Sequence, residues 1–509
     1  MALSSNDFTV NLSLSEAICG IILLWITYYV GYAVYSLYFH PLSKFPGPKL
    51  TAISLLPYFY WEFRGKLHVQ VKRLHDQYGN VVRIRPDTLV YRAPQAWKDI
   101  YGHRKSGDEP FLKDQKFYLP AVNGFPTIIN ANEADHSRIR RLLAHAFSDR
   151  ALREQEPLLR SYVDLLIDRL TAQVAGPSRG VVDMIKWYNY TTFDIIGDLS
   201  FGEPFNCLKD GQYHPWVTVF QSVKAQLLFR VMRDYPILAP LLRTMAASKG
   251  LIQKRIEHFN LGVERLNRRL QRQTDRPDFM SYILRHNDEK GMTKPEIEAT
   301  VATLILAGSE TTATLLCGCT FYLLKNPAVY RRLVDEIRGA FKDEKDIDLA
   351  SLTKLPYLHA VLEESLRIYP PVPAMIPRRV PDSGAIIDNQ FVPGGTSVSM
   401  FQFSAFHAES NFAEPESFIP ERWLDDNKNN SSDRFASDCK EALQPFSYGP
   451  RNCLGKNLAY AEMRLILAKV LWHFDLALQP ESADWTNQKV YILWEKHPLT
   501  VKLTPVVRR

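Results

Sequence analysis

The sequence predicts a mostly α-helical body with small β-sheets, carried on a membrane by a single N-terminal helix. Three observations predict it. Helical apolar spacing recurs along the chain, stretches that read as strands are few and short, and a run near the N-terminus carries no charge at all. The 509 residues hold 46% hydrophobic and 23% charged side chains, ordinary for a folded body large enough to bury a core around a sizeable ligand.

The uncharged run, Ala17–Phe39, is 23 residues long and so matches a bilayer core of about 30 Å. A secretory signal has an apolar core of about 7–15 residues and ends at a small-residue cleavage site. This run is longer, lacks a basic leader and ends in Tyr38, Phe39 and His40. Residues 17–39 are therefore expected as a transmembrane anchor and 1–16 as a short tail. Asp7 and Glu16 precede the run, whereas Lys44, Lys49, Arg64 and Lys66 follow it. The positive-inside rule then puts the tail in the lumen and the body in the cytosol. The sequon Asn11-Leu12-Ser13 falls on the lumenal side. Residues 40–50 contain Pro41, Pro46 and Pro48 and read as a stiff, extended hinge. Residues 51–509 read as one body, because no repeat interrupts them and the best candidate boundary, Asp425–Ser432, is only a short polar stretch.

Within the body, Leu158, Leu159, Tyr162, Leu165, Leu166 and Leu170 form one amphipathic helical face, and Val81–Ile84, Ile386–Val392 and Ser397–Phe401 read as strands. A capping signal, Thr293-Lys294-Pro295-Glu296, starts a helix that Asn326-Pro327 stops, roughly 45–50 Å later at about 1.5 Å per residue. Ala299–Ala307 is almost all apolar or small, so this helix is expected to be buried on most sides. Gly308, Ser309, Glu310, Thr311 and Thr312 follow, which places a carboxylate and hydroxyls in mid-helix. Pro356–Tyr369 and Lys456–Phe474 complete the helices that the argument needs.

The net charge of +7 comes without long basic runs; Arg378-Arg379 is typical. Nucleic acid is excluded as a partner on that ground, and an acidic protein surface or anionic headgroups fit better. Cys19, Cys207, Cys317, Cys319, Cys439 and Cys453 show no zinc-type spacing and are too few for a disulfide scaffold. Cys317 and Cys319 point apart on a helix and read as core packing. Cys453 differs. It precedes the helix starting at Lys456, where the helix dipole and free N–H groups favour a thiolate. Gly449 and Gly455 allow tight backbone and close approach of a flat ligand, and Arg451 sets a cation beside it.

The pattern Phe446-x-x-Gly449-x-Arg451-x-Cys453-x-Gly455 resembles the haem-binding loop of the cytochromes P450. The resemblance implies the cytochrome P450 fold and a haem b whose iron takes Cys453 as axial thiolate, with Phe446, Gly449, Arg451 and Gly455 around the cofactor. Glu364 and Arg367 at i and i+3, followed by Pro370-Pro371 and then Pro420-Glu421-Arg422-Trp423, resemble the family's proximal brace. They imply a structural network of Glu364, Arg367 and Arg422. Ala307-Gly308-Ser309-Glu310-Thr311-Thr312 resembles the oxygen-activation segment. It implies room and a local distortion at Gly308, a hydrogen-bonding hydroxyl at Thr311, and a carboxylate at Glu310 that relays protons through water. His136 and Arg140 stand where many relatives have a Trp-x-x-x-Arg pattern and are implied propionate partners, His136 being a departure from the tryptophan. Arg378 is the implied third propionate cation, with adjacent Arg379 open as the alternative.

The narrower likeness is to fungal microsomal enzymes of secondary metabolism, near the isotrichodermin C-15 hydroxylases, and rests on Phe401–Trp423 and on to Phe474. The implied reaction is monooxygenation: one oxygen atom from O2 enters an apolar small molecule by hydroxylation or epoxidation, a tailoring step on a terpenoid or polyketide. The implied electron donor is NADPH-cytochrome P450 reductase at the endoplasmic reticulum membrane, with cytochrome b5 as an optional second donor, since the chain shows no flavin- or dinucleotide-binding signature. Two other readings remain: a haem-thiolate isomerase or dehydratase that does not use O2, which Glu310 and Thr311 disfavour, and a non-catalytic haem-binding membrane protein. Pocket walls are expected from Phe117–Ile129, Thr303–Thr311, Pro373–Ile376 and Tyr491–Trp494.

Overall fold

The computed structural model describes residues 13–507 apart from 106, 119, 215–222, 249, 273, 275, 289–290 and 425–433. Most of the expected tail, including Asp7 and Asn11, and the stretch Asp425–Ser432 therefore lie outside the described residues. Ser13 and Glu16 form a capping box that starts the helix Leu14–Val34. Tyr35–Phe39 continue it as one π-type turn, closed by the His40 N–H on the Tyr35 carbonyl at 2.8 Å. No side chain of Leu14–Val34 is buried, and this apolar helix fits a membrane anchor.

The proline segment is not a free extended linker. Leu42 and Phe45 are buried against the first sheet, and Lys49–Ile53 forms a short helix. Buried Arg83 ties the end of the anchor to that sheet: its guanidinium donates to the Ser36 carbonyl at 2.9 Å and to the Ser36 hydroxyl at 3.0 Å. The Ser36 hydroxyl in turn donates to the Ala52 carbonyl at 2.5 Å. Two apolar residues between the prolines found a core, and that decided the path of the chain.

Helices form most of the body. Lys294–Lys325 crosses it and packs along Met184–Phe201, itself buried over almost its whole length. The crossing is close because Gly308 faces Ile196; a Cβ there would sit 2.6 Å from Ile196 Cδ1. Gly308 thus serves helix packing, and the helix runs through Gly308–Thr312 without the expected local distortion. On Asp149–Ala175 the residues Leu159, Leu166 and Leu170 are buried, with Leu158, Tyr162 and Leu165 beside them at the edge of the core. Cys317 and Cys319 are buried and unbridged.

A five-stranded sheet runs in the order Val81–Arg85, Thr88–Tyr91, Ser397–Met400, Arg378–Arg379, Leu112–Lys113. Thr88–Tyr91 and Ser397–Met400 pair in parallel, the other neighbours antiparallel. Ile386–Val392 is not one strand but a hairpin, Ala385–Ile387 with Gln390–Val392, because Asp388 and Asn389 both take positive φ (47° and 60°) and turn the chain. A three-stranded sheet joins Val181–Asp183, Thr500–Pro505 and Phe474–Leu478, and the last hairpin, Lys489–Tyr491 with Leu493–Glu495, turns at Ile492.

Candidate active site

The Cys453 loop is set by hydrogen bonding and by one glycine. The Cys453 N–H donates to the Phe446 carbonyl at 2.7 Å, and the Phe446 ring rests 5.3 Å from that of Tyr460. Gly449 has φ +72°, and a Cβ there would fall 1.9 Å from the Tyr101 carbonyl oxygen, so the protein itself requires glycine. Gly455 is different: it caps the helix Lys456–His473, and a Cβ would meet only Phe147, at 3.8 Å. That leaves one side of the loop smooth enough for a flat ligand. Cys453 keeps accessible surface although protein atoms crowd around it. Burial pushes the thiol pKa up; the Gly455 N–H, Arg140 and Lys456 oppose this without reversing it. The helix start thus offsets the cost of burying a thiolate only in part.

On the long helix, Ala307 is exposed and Thr311 half-exposed although neighbouring residues are buried. The Thr311 hydroxyl donates to the Ala307 carbonyl at 2.7 Å. Glu310, about 100° round the helix, turns to a different face. There its carboxylate forms an ion pair with Lys496, whose ammonium also donates to the Thr314 hydroxyl at 2.5 Å. Both charged side chains are nearly inaccessible. The two residues expected to act as a pair thus occupy adjoining faces, and Lys496 is a partner that the sequence did not announce.

Five basic side chains converge near the Cys453 loop. Arg451 is clamped by Glu133 at 2.9 Å and by the Ala131 carbonyl at 2.9 Å. Arg140 donates to the Asn452 carbonyl at 2.7 Å and to its Oδ1 at 2.5 Å. Arg378 is buried, and its Nε has no partner. His136 is buried too, and its pKa is pushed down to about 3 by burial and by Arg451, Arg140, Lys113 and Arg378. Lys113 lies well below the usual lysine range, first from burial and then from Arg378 and Arg451. Only Glu133 offers it opposite charge among the groups that act on it. Lys113 sits on a two-residue edge strand opposite Arg378, and a lone lysine on so short a strand carries no spacing signal, so sequence reasoning missed it. Arg379, next to Arg378 on a two-residue strand, points to a partly exposed position 3.9 Å from Asp114.

The brace behind this region closes on itself. Arg367 donates twice to Glu364, at 2.9 and 2.7 Å, and its remaining donors reach the carbonyls of Phe406, Pro415 and Ser417. Arg422 reaches Glu364 at 3.2 Å and Asp438 at 2.5 Å. The Trp423 indole and the Ile419 N–H complete Glu364, each at 2.9 Å. Asp438 and the Trp423 donor were not foreseen; of the two, only Trp423 lay within a recognised motif.

The residues present fit a haem by their donor chemistry: a lone thiol that keeps accessible surface, a smooth loop at Gly455, and a buried excess of cations with an orphaned Arg378 Nε suited to two carboxylates. Of the expected pocket walls, Phe117, Pro373–Met375 and Ile492 line one cavity, and Thr303–Thr311 does not reach it.

Comparison with known proteins gives the same reading. The family described as Cytochrome P450 matches residues 46–503. The chain is 55% identical to the cytochrome P450 monooxygenase astJ of Aspergillus oryzae, over 93% of this chain and 94% of that one. It is 47% identical to the cytochrome P450 monooxygenase astA of Talaromyces wortmannii, over 96% and 97%. It is 44% identical to the averantin hydroxylase of Dothistroma septosporum, over 96% and 90%.

Proposed function

The chain belongs to the cytochrome P450 family, and from that premise we propose that it inserts one oxygen atom from O2 into an apolar small molecule, by hydroxylation or epoxidation, as a tailoring step on a terpenoid or polyketide. Its relatives are fungal P450 monooxygenases of secondary metabolism, and a relative named averantin hydroxylase supports hydroxylation as the outcome. The observation that carries the reading is the pairing of Cys453 with the buried or half-buried basic side chains Arg140, Arg378, Arg451 and Lys113 and the neutral His136.

Bound haem supplies activation of O2, and a thiolate ligand favours O–O cleavage. This chain's residues would hold it: Cys453 would ligate the iron, Arg140, Arg378, Arg451 and Lys113 would balance the propionates, and neutral His136 would donate a ring N–H. Phe446, Gly449 and Gly455 shape the loop beneath it. Thr311 keeps its hydroxyl on the accessible face of the long helix. Glu310, held by Lys496 and Thr314, stores a carboxylate on the next face, so a proton passes between the two through water. Glu364, Arg367 and Arg422 hold the proximal side without touching the chemistry.

Residues 1–16 are proposed as a lumenal tail, 17–39 as the span, 40–50 as the connection and 51–509 as the cytosolic catalytic domain, at the endoplasmic reticulum. Exposed Leu50, Leu56, Tyr60 and Phe63, together with Ile237, Leu238, Leu241 and Met245, support a second, shallow contact with the same membrane. Electrons come from NADPH-cytochrome P450 reductase, with cytochrome b5 as an auxiliary; exposed Arg141 and Lys456 beside the Cys453 loop suit an acidic partner. Cys453→Ser in microsomes with reductase tests the whole: the thiolate-type reduced-CO band and all NADPH-dependent turnover should vanish. Product formed equally well without O2 and reductase would point to an isomerase or dehydratase instead.

A further inference from the structure

A small cavity of about 20 Å³ lies among the helices Leu56–Phe63 and Val223–Asp234, the stretch Pro373–Met375 and the hairpin tip at Ile492. Most of its lining is apolar, yet Tyr58, Glu62, His68 and Arg230 also face it. Arg230 and Glu62 Oε1 form an ion pair at 2.6 Å, each about 95% buried. Beside it Arg85 pairs with Asp234 at 2.8 Å and lies over the Tyr58 ring at 5.0 Å. Two cations and two anions leave no net charge, so the cavity suits a neutral guest.

Two buried polar atoms are left without partners there: Glu62 Oε2 and His68 Nδ1. The Arg230 pair clips the two helices together, but it uses Oε1 and does not involve His68. Orphans of this kind cost free energy unless something fills them. The His68 ring is fixed edge-on between Phe403, at 5.0 Å, and Trp494, at 5.2 Å. Burial pushes its pKa down to about 3, so it is neutral and offers one N–H and one lone pair. A hydroxyl group suits a lining that holds both an acceptor and a histidine donor, since it donates and accepts; a ketone or an ether only accepts.

Three chain segments lead from this cavity to the cofactor-binding residues. Phe117 follows the strand of Lys113, Met375 leads into Arg378, and Ile492 leads into Lys496, the partner of Glu310. Each pair is separated by no more than four residues, so the lining of the cavity is continuous along the chain with residues of the proposed cofactor and proton-relay sites.

We infer that Glu62 and His68 form a polar subsite that receives a neutral hydroxyl group of the substrate, its O–H donated to Glu62 Oε2 and its lone pair facing His68 Nδ1. The substrate is then an apolar skeleton with a hydroxyl at the end remote from the carbon that is oxidised. This rests on the monooxygenase reading above. An earlier reaction must supply that hydroxyl, as a phenol or an alcohol.

The experiment is spectroscopic and uses the full-length, haem-loaded protein in lipid nanodiscs. Titrate 4-phenylphenol against 4-methoxybiphenyl, and 4-cyclohexylcyclohexanol against its methyl ether, and read dissociation constants from the Soret shift. In the wild type each hydroxyl compound should bind about ten-fold tighter than its ether. His68→Phe keeps the aromatic packing, and the double variant Glu62→Met/Arg230→Met replaces a buried pair by apolar volume, a change that buried pairs tolerate. Both variants should bring the ratio close to one. Equal affinities in the wild type, or a preference that survives in both variants, overturns the subsite. Failure of the monooxygenase reading looks different: the wild type with reductase would then form no product that depends on NADPH and O2, whatever its ligand preference.

Discussion

Glu364 and Arg451 are both buried charged side chains, but their neighbourhoods are built on opposite principles. Around Glu364, two carboxylates (Glu364 and Asp438) meet two guanidinium groups (Arg367 and Arg422), and backbone carbonyls and an indole take up the remaining bonding capacity. Around Arg451, four cations and a neutral histidine crowd together against one carboxylate, Glu133, which is itself more than a third exposed. A buried charge is tolerable only when something compensates it. The first cluster supplies its own compensation and is therefore scaffold. The second leaves positive charge uncompensated, which suits the proposed role of binding a dianionic guest. The sign balance of a buried cluster separates the two roles where burial alone does not.

The largest effect is expected where the closed cluster is opened. Glu364→Ala leaves two guanidinium groups and an indole without their acceptor, a loss of about 3–5 kcal/mol, which is a large share of a domain's stability of about 5–15 kcal/mol. Urea unfolding should show this with haem bound and without it. If the haem-free variant unfolds like the haem-free wild type, the brace is not the scaffold described.

Arg378→Met should do the reverse. It removes a charge-assisted contact to the cofactor, so haem affinity should fall by about ten- to a hundred-fold. The haem-free chain should unfold no earlier, because a repulsive neighbour of Lys113 and Arg451 is gone. Haem titration followed by fluorescence quenching, together with urea midpoints of the haem-free protein, reads both. A loss of haem-free stability as large as that of Glu364→Ala would erase the contrast between the clusters.

A pH series gives a smaller, signed effect. Folded His136 has its pKa near 3, depressed by burial and by facing Arg451, Arg140, Lys113 and Arg378. Unfolded histidine titrates near its ordinary value of about 6.5. Between those values the unfolded chain binds a proton that the folded chain does not, so stability falls as pH drops through that window, by at most about 1.4 kcal/mol per pH unit. Above about 6.5 the contribution is nil. In the haem-free protein His136→Asn should flatten the acid side of the stability curve between roughly pH 6.5 and 5, and an unchanged slope would remove His136 from the open cluster.

What could be read in the sequence follows the same division. Glu364, Arg367, Arg422 and Cys453 sit at fixed spacings on helix starts, ends and turns, and such spacing survives in one dimension. Lys113, Lys496 and Asp438 meet their partners only through the fold: Lys496 lies far along the chain from Glu310, and a single lysine or aspartate in a loop or on a two-residue strand has no period to betray it. Gly308 was legible as special, but its close contact with Ile196 was not, since that residue belongs to another helix. The hairpin hidden in Ile386–Val392 did carry a signal, Asp388-Asn389, two residues that accept positive φ more readily than most. The packing of Leu42 and Phe45 inside the proline segment was not legible, because local proline stiffness cannot announce a tertiary contact.

The smallest predicted effect tests the open cluster at its edge. Arg378 and Arg379 are adjacent on a strand, and successive strand residues point to opposite faces. Arg378 is buried and Arg379 is about a third exposed beside Asp114, although each keeps one buried guanidinium nitrogen without a hydrogen-bond partner among the described residues. A partly exposed pair at 3.9 Å is worth about 0–1 kcal/mol. Arg379→Ala should therefore shift the urea midpoint hardly at all and change haem affinity by less than about two-fold, against the ten-fold or greater loss for Arg378→Met. Equal losses for the two variants would mean that both guanidinium groups reach the propionates, and the boundary of the open cluster would then run through the strand rather than along one face of it.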